Sequence, residues 1–305
     1  MLDFDIKLGF ACNSDCIHCA EKSEQQILEP TTQEIKNIID QLDPGWVVVF
    51  SGGEPTIRSD FLELIKYARE NKNRRVKVHT NATGFADENL AAEAVKYMDC
   101  ALITIHSCVS KIHNKIAQTA GIWEKTICGM KNLLKYRQDC SSKIAIETNT
   151  VISTWNKDTL VATLAYIQQL APEVIMGLVY PHPVGNALKY ANTILPRYSD
   201  IKNIIHQCIQ QFSPYLQIRS IPKCQLFPYQ DACYADSYLQ NIQRPGFNPL
   251  ASESGFIKDY AMLDLPQKRK IEVCRQCCFN NECTGIWGQY IDLYKEALDL
   301  IPIRD

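Results

Sequence analysis

The chain has 305 residues, enough for one large domain or for one domain with a smaller companion. Its 46% apolar and 22% charged content is ordinary for a globular fold, and a net charge of −2 argues against nucleic acid as the main partner. No apolar run approaches the roughly 18 residues of a membrane-spanning helix, so no membrane partner is expected. The acidic opening Met1-Leu2-Asp3-Phe4-Asp5 is too short for a secretion signal, which points to the cytoplasm. Fourteen cysteines are many for this length, and they gather in two short stretches toward the two ends. In a reducing compartment that pattern fits metal thiolates better than disulfides.

In chain order, a first strand is expected over residues 5–9. It runs into Cys12-Asn13-Ser14-Asp15-Cys16-Ile17-His18-Cys19, a C-x3-C-x2-C spacing. Iron–sulfur clusters normally take four thiolates. Three in one loop can grip three corners of a cubane and leave one iron open to a cofactor or substrate. The alternatives are a zinc knuckle, whose paired C-x2-C spacing is missing here, or three unremarkable thiols. Thr31-Thr32-Gln33-Glu34 reads as a capping box opening a helix that runs to about Leu42. The second strand, 46–50, ends in Ser51-Gly52-Gly53-Glu54-Pro55. Adjacent glycines let backbone approach a ligand closely, although a tight turn explains them as well.

Ser59-Asp60 opens the next helix, and strands at 76–80, 101–106, 144–150 and 174–180 alternate with helices near 87–97, 123–136, 157–170 and 198–212. Three strand ends carry polar residues: His79-Thr80-Asn81, His106-Ser107 and Glu147-Thr148-Asn149-Thr150. Polar groups at buried strand ends call for a ligand, water or a helix cap to satisfy them. Strand six leads to Tyr180-Pro181-His182-Pro183-Val184-Gly185-Asn186, where Tyr180 and His182 are candidates for substrate contact. His113 is expected to be structural or to support a residue of the site. Cys100, Cys108, Cys128, Cys140 and Cys208 read as small buried apolar groups, with Cys108 notable for its place at a strand end.

Six βα units in succession imply an α/β fold with parallel strands, and six falls short of the eight of a closed barrel. The expected fold is an open partial (β/α)6 barrel, its chemistry at the C-terminal ends of the strands. After about residue 213 the rhythm breaks into strand-like 215–221, a loop-rich stretch, the second cysteine group and an amphipathic stretch over 285–300. This suggests a core over 1–213 and a small cysteine-rich module over 214–305. Cys274, Cys277, Cys278 and Cys283 fall within ten residues, with Cys224 and Cys233 upstream. Four of these can hold a second cluster or a zinc ion. Adjacent cysteines cannot readily point at one iron, so one of Cys277 and Cys278 is spare.

The cysteine loop and the Gly52-Gly53-Glu54-Pro55 turn together resemble the signature of the radical S-adenosylmethionine (SAM) enzymes, which are built on the same partial barrel. The resemblance implies a 4Fe–4S cluster on Cys12, Cys16 and Cys19, whose open iron chelates SAM. Reductive cleavage of SAM then gives a 5′-deoxyadenosyl radical that takes hydrogen from the substrate. It implies SAM contacts from Ser51, Gly52, Gly53, Glu54, Ser107 and Asn149, and from His18, which stands where relatives use an aromatic residue against the adenine. The C-terminal cysteines resemble the auxiliary modules called SPASM or twitch. They imply a second 4Fe–4S cluster on Cys224, Cys274, Cys277 and Cys283, with zinc as the alternative and Cys233 and Cys278 as the less certain candidates.

The reading that follows is a radical SAM oxidoreductase acting on a peptide side chain or a small metabolite, served by a flavodoxin- or ferredoxin-type electron donor. Relatives that modify peptides often carry an N-terminal recognition domain. This chain begins its first strand at residue 5, so a separate carrier protein or a small substrate is expected. The alternatives are a dehydrogenating or methylating enzyme of the same family on a small natural-product precursor and, from another class, a non-catalytic iron–sulfur or zinc scaffold.

Overall fold

In a computed structural model, described for residues 3–22, 29–43, 45–139, 144–232, 267–295 and 299–304, strands and helices alternate from the first strand onward. The strands are β1 (Asp3–Lys7), β2 (Val47–Ser51), β3 (Arg75–Thr80), β4 (Cys100–Thr104), β5 (Ala145–Val151), β6 (Ile175–Val179) and β7 (Leu216–Arg219). All neighbours pair in parallel, in the order β1-β2-β3-β4-β5-β6-β7. The sheet is thus a partial barrel, as expected, with one more strand than the six units read from the sequence. The segment read as strand-like after residue 213 is that seventh strand, so the sheet continues past residue 213.

Alternation along the strands explains the barrel's two faces. Phe4, Ile6, Val48, Phe50, Val76, Val78, Ala101, Ile103, Met176 and Leu178 enter the hydrophobic core under the helices. The other register turns Asp5, Lys7, Ser51, Lys77, His79, Glu147, Asn149 and Arg219 toward the barrel interior. Ion pairs neutralise part of this polar lumen. Lys7 meets Asp5 at 3.0 Å and Glu21 at 3.1 Å, and Lys77 meets Glu147 at 2.8 Å. A filled barrel would be lined by branched apolar residues; this lumen is built to take something polar.

The covering helices include α1 (Thr32–Gln41), α2 (Phe61–Lys66), α3 (Glu88–Ala94), α4 (Ser110–Ala117), α5 (Ile122–Asp139) and α6 (Leu160–Leu170). The capping box on α1 is present, with Thr31 Oγ1 accepting from Glu34 N and Glu34 bonding back to Thr31 N at 2.7 Å. Past β6 come the short α7 (Asn186–Lys189) and α8 (Ala191–Ile194), then α9 (Tyr198–Phe212). Beyond β7 lie α10 (Lys223–Leu226), an antiparallel pair β8 (Lys268–Arg269) and β9 (Ile286–Trp287), and α11 (Gly288–Leu293). The amphipathic stretch read over 285–300 thus holds β9 and α11. Cys140 and Cys233 lie outside the described residues. Cys100 and Cys208 are buried as expected, but Cys128 is exposed, because its place on α5 faces away from the sheet. No helix among the described residues is long and apolar enough to cross a membrane.

Candidate active site at the strand ends

The cysteine loop leaves β1 at the C-terminal mouth of the sheet and is pinned on three sides. Asp15 N and Ile17 N donate to the carbonyls of Ala117 (3.0 Å) and Ile116 (2.9 Å) at the end of α4. Asn186 N donates to Cys19 O at 2.9 Å, while its Nδ2 reaches Cys16 O at 3.0 Å and Asp15 Oδ1 at 3.2 Å. Gly185 makes this approach possible. At φ +55°, a Cβ there would sit 2.7 Å from Cys19 O and 2.6 Å from Lys22 O. On the third side Asn13 Nδ2 donates to Thr83 Oγ1 at 2.7 Å and Asn81 Nδ2 to Asn13 Oδ1 at 2.8 Å.

Inside the loop, the Ser14 hydroxyl lies 3.3 Å from Cys12 Sγ and 3.5 Å from Cys16 Sγ. Cys16 keeps a little exposed surface, yet the protein packed around it pushes its thiol up to about 12, and burial raises Cys19 as well. Thiols raised in this way stay protonated at neutral pH until a metal displaces the proton.

The Gly52-Gly53-Glu54 turn packs directly on the same loop. Gly53 N donates to Gly9 O at 2.8 Å and Glu54 N to Ala11 O at 2.9 Å. A Cβ on Gly52, which has φ +122°, would lie 2.2 Å from Gly9 O, and one on Gly53 would lie 1.9 Å from Ala11 O. No other residue type fits either position. Glu54 is buried and its carboxylate already accepts four hydrogen bonds, from Thr56 N (3.1 Å), Thr56 Oγ1 (2.6 Å), Thr80 Oγ1 (2.6 Å) and Asn81 N (2.6 Å). Desolvation still raises its pKa. Glu54 and Thr80 thus lock the β2 turn to the β3 exit.

The remaining expected cofactor contacts fall in different surroundings. Asn149 faces the lumen beside Gly177, and its Oδ1 is buried with no hydrogen-bond partner among the described residues. A side chain on Gly177 would press on that oxygen, with a Cβ 3.0 Å away. Ser51 Oγ receives Lys7 Nζ at 2.9 Å and bonds Asp5. Ser107 has no exposed surface, and its hydroxyl meets Thr159 Oγ1 at 3.0 Å and accepts from Val109 N at 3.1 Å. Both bonds lie at the entry to α4 and α6. Tyr180, read as a candidate for substrate contact, is fully buried on the helix side. Its hydroxyl donates to Pro196 O at 2.8 Å, and its ring packs on Tyr198 and Tyr290. Register decides this: Tyr180 continues the outward series of Met176 and Leu178. His182 stacks on Trp287 of β9, with ring centroids 4.4 Å apart.

His18 of the cysteine loop forms one cluster with two histidines behind it, His106 and His113. His106 meets His18 edge-on at 4.6 Å and His113 at 4.9 Å. His106 N donates to His113 Nδ1 at 3.2 Å, and His106 Nε2 lies 3.7 Å from Cys16 Sγ. Burial pulls His18 and His113 down to about 4 and His106 well below its usual range. His113 is buried and accepts from the His106 backbone. His106 and Asn186 were absent from the candidate site. The only sequence signals for them were a polar residue at a strand end and an Asn directly after Gly185.

A second thiol group lies across the C-terminal region. Cys224 of α10 and Cys274, Cys277 and Cys283 line one cavity of about 420 Å³, its open mouth included, together with Pro222 and Ile286. Burial pushes the Cys224 thiol up to about 11, and the three other thiols raise it further. Gly285 N donates to Cys283 Sγ at 3.3 Å, a bond that suits a thiolate. Cys278 is exposed and does not line the cavity. Among the described residues, no three His, Cys, Asp or Glu side chains are drawn to the spacing of a single bound metal ion.

A parallel partial barrel with a cysteine triad and a double-glycine turn at its mouth defines a class, and comparison with known proteins agrees. The family model described as the radical SAM superfamily matches residues 6–167, and the chain belongs to that superfamily. The family's chemistry uses a 4Fe–4S cluster and SAM. Among individual proteins, the chain is similar to the mycofactocin maturase MftC of Mycolicibacterium smegmatis, with 34% identity over 131 residues, 42% of this chain and 33% of that protein. It is also similar to the AdoMet-dependent heme synthase of Methanosarcina barkeri, with 27% identity over 209 residues, 66% of this chain and 55% of that protein. The matched stretch thus spans from a third to about half of these relatives' length. Two solved structures share the fold. Streptococcus suis SuiB bound to its precursor peptide SuiA has a TM-score of 0.62 at 15% identity, covering 100% of this chain and 75% of that one. Native anSMEcpe with bound AdoMet has 0.56 at 17%, covering 98% and 93%.

Proposed function

We propose that the chain is a radical SAM oxidoreductase that modifies a peptide side chain or a small metabolite, with its core over 1–213, its sheet completed by β7 from the segment beyond, and an auxiliary-cluster module in the rest of 214–305. The observation that carries this reading is the convergence of two separate thiol sets, the triad Cys12, Cys16 and Cys19 at the barrel mouth and the tetrad Cys224, Cys274, Cys277 and Cys283 on one cavity. Three thiols suit a cluster with one open iron; four suit a closed one. The orphaned Oδ1 of Asn149 supplies an acceptor for a polar ligand in the lumen, and the polar lumen fits SAM.

In this reading Cys12, Cys16 and Cys19 hold the first cluster. The raised thiols of Cys16 and Cys19 must lose their protons for a metal to bind. The backbone at Gly52 and Gly53 would take the cofactor's amino group, and Glu54 holds that turn in place. Asn149 fixes the cofactor's sugar, and Ser51 is held by Lys7 at the same mouth. When bound, the cluster and SAM together supply a 5′-deoxyadenosyl radical. The barrel wall would exclude water from it, and His182 past β6 stacks on Trp287 of the C-terminal module. The C-terminal tetrad leaves no open iron, which suits an electron acceptor for a net oxidation rather than a substrate ligand. A peptide substrate is supported by the likeness to a maturase and to a precursor-bound enzyme. A flavodoxin- or ferredoxin-type donor completes the proposal.

The test is anaerobic reconstitution followed by iron counting, repeated with Cys12, Cys16 and Cys19 all changed to Ala. About eight irons falling to about four supports two clusters, and assays of SAM cleavage and oxidised product follow. About four falling to none, with zinc retained, rejects the electron-acceptor role of the C-terminal tetrad.

A further inference from the structure

We propose that His106 is a positioning residue for the N-terminal cluster, donating its Nε2–H to Cys16 Sγ and so raising the potential at which that cluster is reduced. The inference rests on the reading that Cys12, Cys16 and Cys19 hold a cluster, and goes beyond it by assigning the residue that tunes it.

The contact is 3.7 Å, within range of a hydrogen bond to sulfur, and His106 is buried. Its ring has little freedom. His18 packs edge-on against one part and His113 tilts against another, at centroid distances of 4.6 Å and 4.9 Å. Its backbone is held at both ends, the N–H by His113 Nδ1 at 3.2 Å and the carbonyl by Asn156 Nδ2 at 2.8 Å. Asn156 itself is fully buried and also bonds Val151 O at 2.9 Å, which ties the histidine to the end of β5.

Chemistry fixes the direction of the bond. A metal-bound cysteine has lost its proton, so its sulfur can only accept. The neutral imidazole carries one N–H, and the contact is favourable only when that hydrogen is on Nε2. In the metal-free chain the protonated thiol can point its own S–H at Nε2 instead. With the thiolate bound to metal, the hydrogen stands on Nε2. Nδ1 then carries a lone pair, and it has no partner among the described residues. One-electron reduction adds one negative charge to the cluster and its thiolates. A fixed N–H dipole aimed at one sulfur stabilises the more negative state more, which raises the potential. Hydrogen bonds to the sulfurs are among the factors that set iron–sulfur potentials.

The experiment uses the full chain, reconstituted with iron and sulfide, as wild type and as His106→Phe, His106→Leu and His106→Gln. Iron is counted, and each protein is titrated under EPR detection, the signal that responds to added SAM marking the N-terminal cluster. Equal iron in all proteins is expected. The Phe and Leu variants should need a more negative poise for the same reduced fraction. A tenfold loss in reduced-to-oxidised ratio at fixed poise corresponds to about 59 mV for one electron. The Gln variant keeps a donor and should return toward wild type. Either donor-less variant that folds decides the matter: a curve coincident with wild type at unchanged iron overturns the proposal. A wild-type protein without a SAM-responsive signal overturns the underlying reading instead, so the two failures are told apart.

Discussion

The Gly52-Gly53 turn is where a single atom matters most. An added methyl at Gly53 would meet Ala11 O at 1.9 Å, and at Gly52 it would meet Gly9 O at 2.2 Å with φ already at +122°. The Gly53→Ala variant is expected to lose about 1–3 kcal/mol of stability from overpacking, measured by chemical denaturation, and to lose SAM affinity in calorimetric titration. Wild-type SAM affinity in that variant would remove the turn from the cofactor site. His113 sets a pH dependence. Its folded pKa of about 4 lies below the ordinary 6.5, so the folded chain keeps it neutral while the unfolded chain takes up a proton first. Its contribution is present above pH 6.5 and is lost as pH falls toward 4. The melting temperature should drop across that window, and His113→Gln, which keeps an acceptor for His106 N, should make the drop shallower. An unchanged slope would show that His113 does not cause it.

At the scale of elements, the cysteine loop has little regular structure of its own and takes its shape from its neighbours. The loop between β6 and α7 is the strongest of these, with three hydrogen bonds from Asn186 to residues 15, 16 and 19. Two of them come from the side chain. At about 1 kcal/mol for each hydrogen bond, Asn186→Ala should loosen the loop by about 2 kcal/mol without unfolding the barrel. Faster loss of iron to a chelator from the N-terminal site, with the C-terminal site unchanged, is the expected result. Equal loss from both sites would refute a local clamp. The same reasoning makes α4 more than a connector, since its last carbonyls receive Asp15 N and Ile17 N. The sequence offered only a linking segment there, because eight residues from Ser110 to Ala117 are too few for a clear helical period.

Over the whole molecule, the C-terminal part is joined to the barrel through stacked tyrosines. Tyr290 of α11 packs on Tyr198 at 4.5 Å and on Tyr180 at 6.2 Å, accepts from Tyr198 N at 3.1 Å, and bonds Asp299. Burial raises all three phenols above their usual range. Tyr290→Phe keeps the ring and strands the buried Tyr198 N–H, while Asp299 keeps its bond from Ser199 N. A cost of about 1–3 kcal/mol is expected, read as a lower denaturation midpoint. A change below about 0.5 kcal/mol would mean that the ring alone makes the joint.

The sequence by itself determined the parallel α/β order, the strand positions to within a few residues, the extent of α9 and the two thiol groups. Each of these is written in local terms: a hydrophobic period, a capping box, a cysteine spacing. Only the tertiary structure decided that the stretch after residue 213 adds a seventh strand to the sheet, since strand pairing is non-local. It likewise turned Tyr180 into core and Cys128 to the surface, because the face a residue presents depends on which element covers it. It filled the Glu54 carboxylate with donors from the β3 exit, and it brought His106 to Cys16 across 90 residues of chain. Such contacts depend on how strand ends converge at the barrel mouth, and no local pattern encodes that convergence.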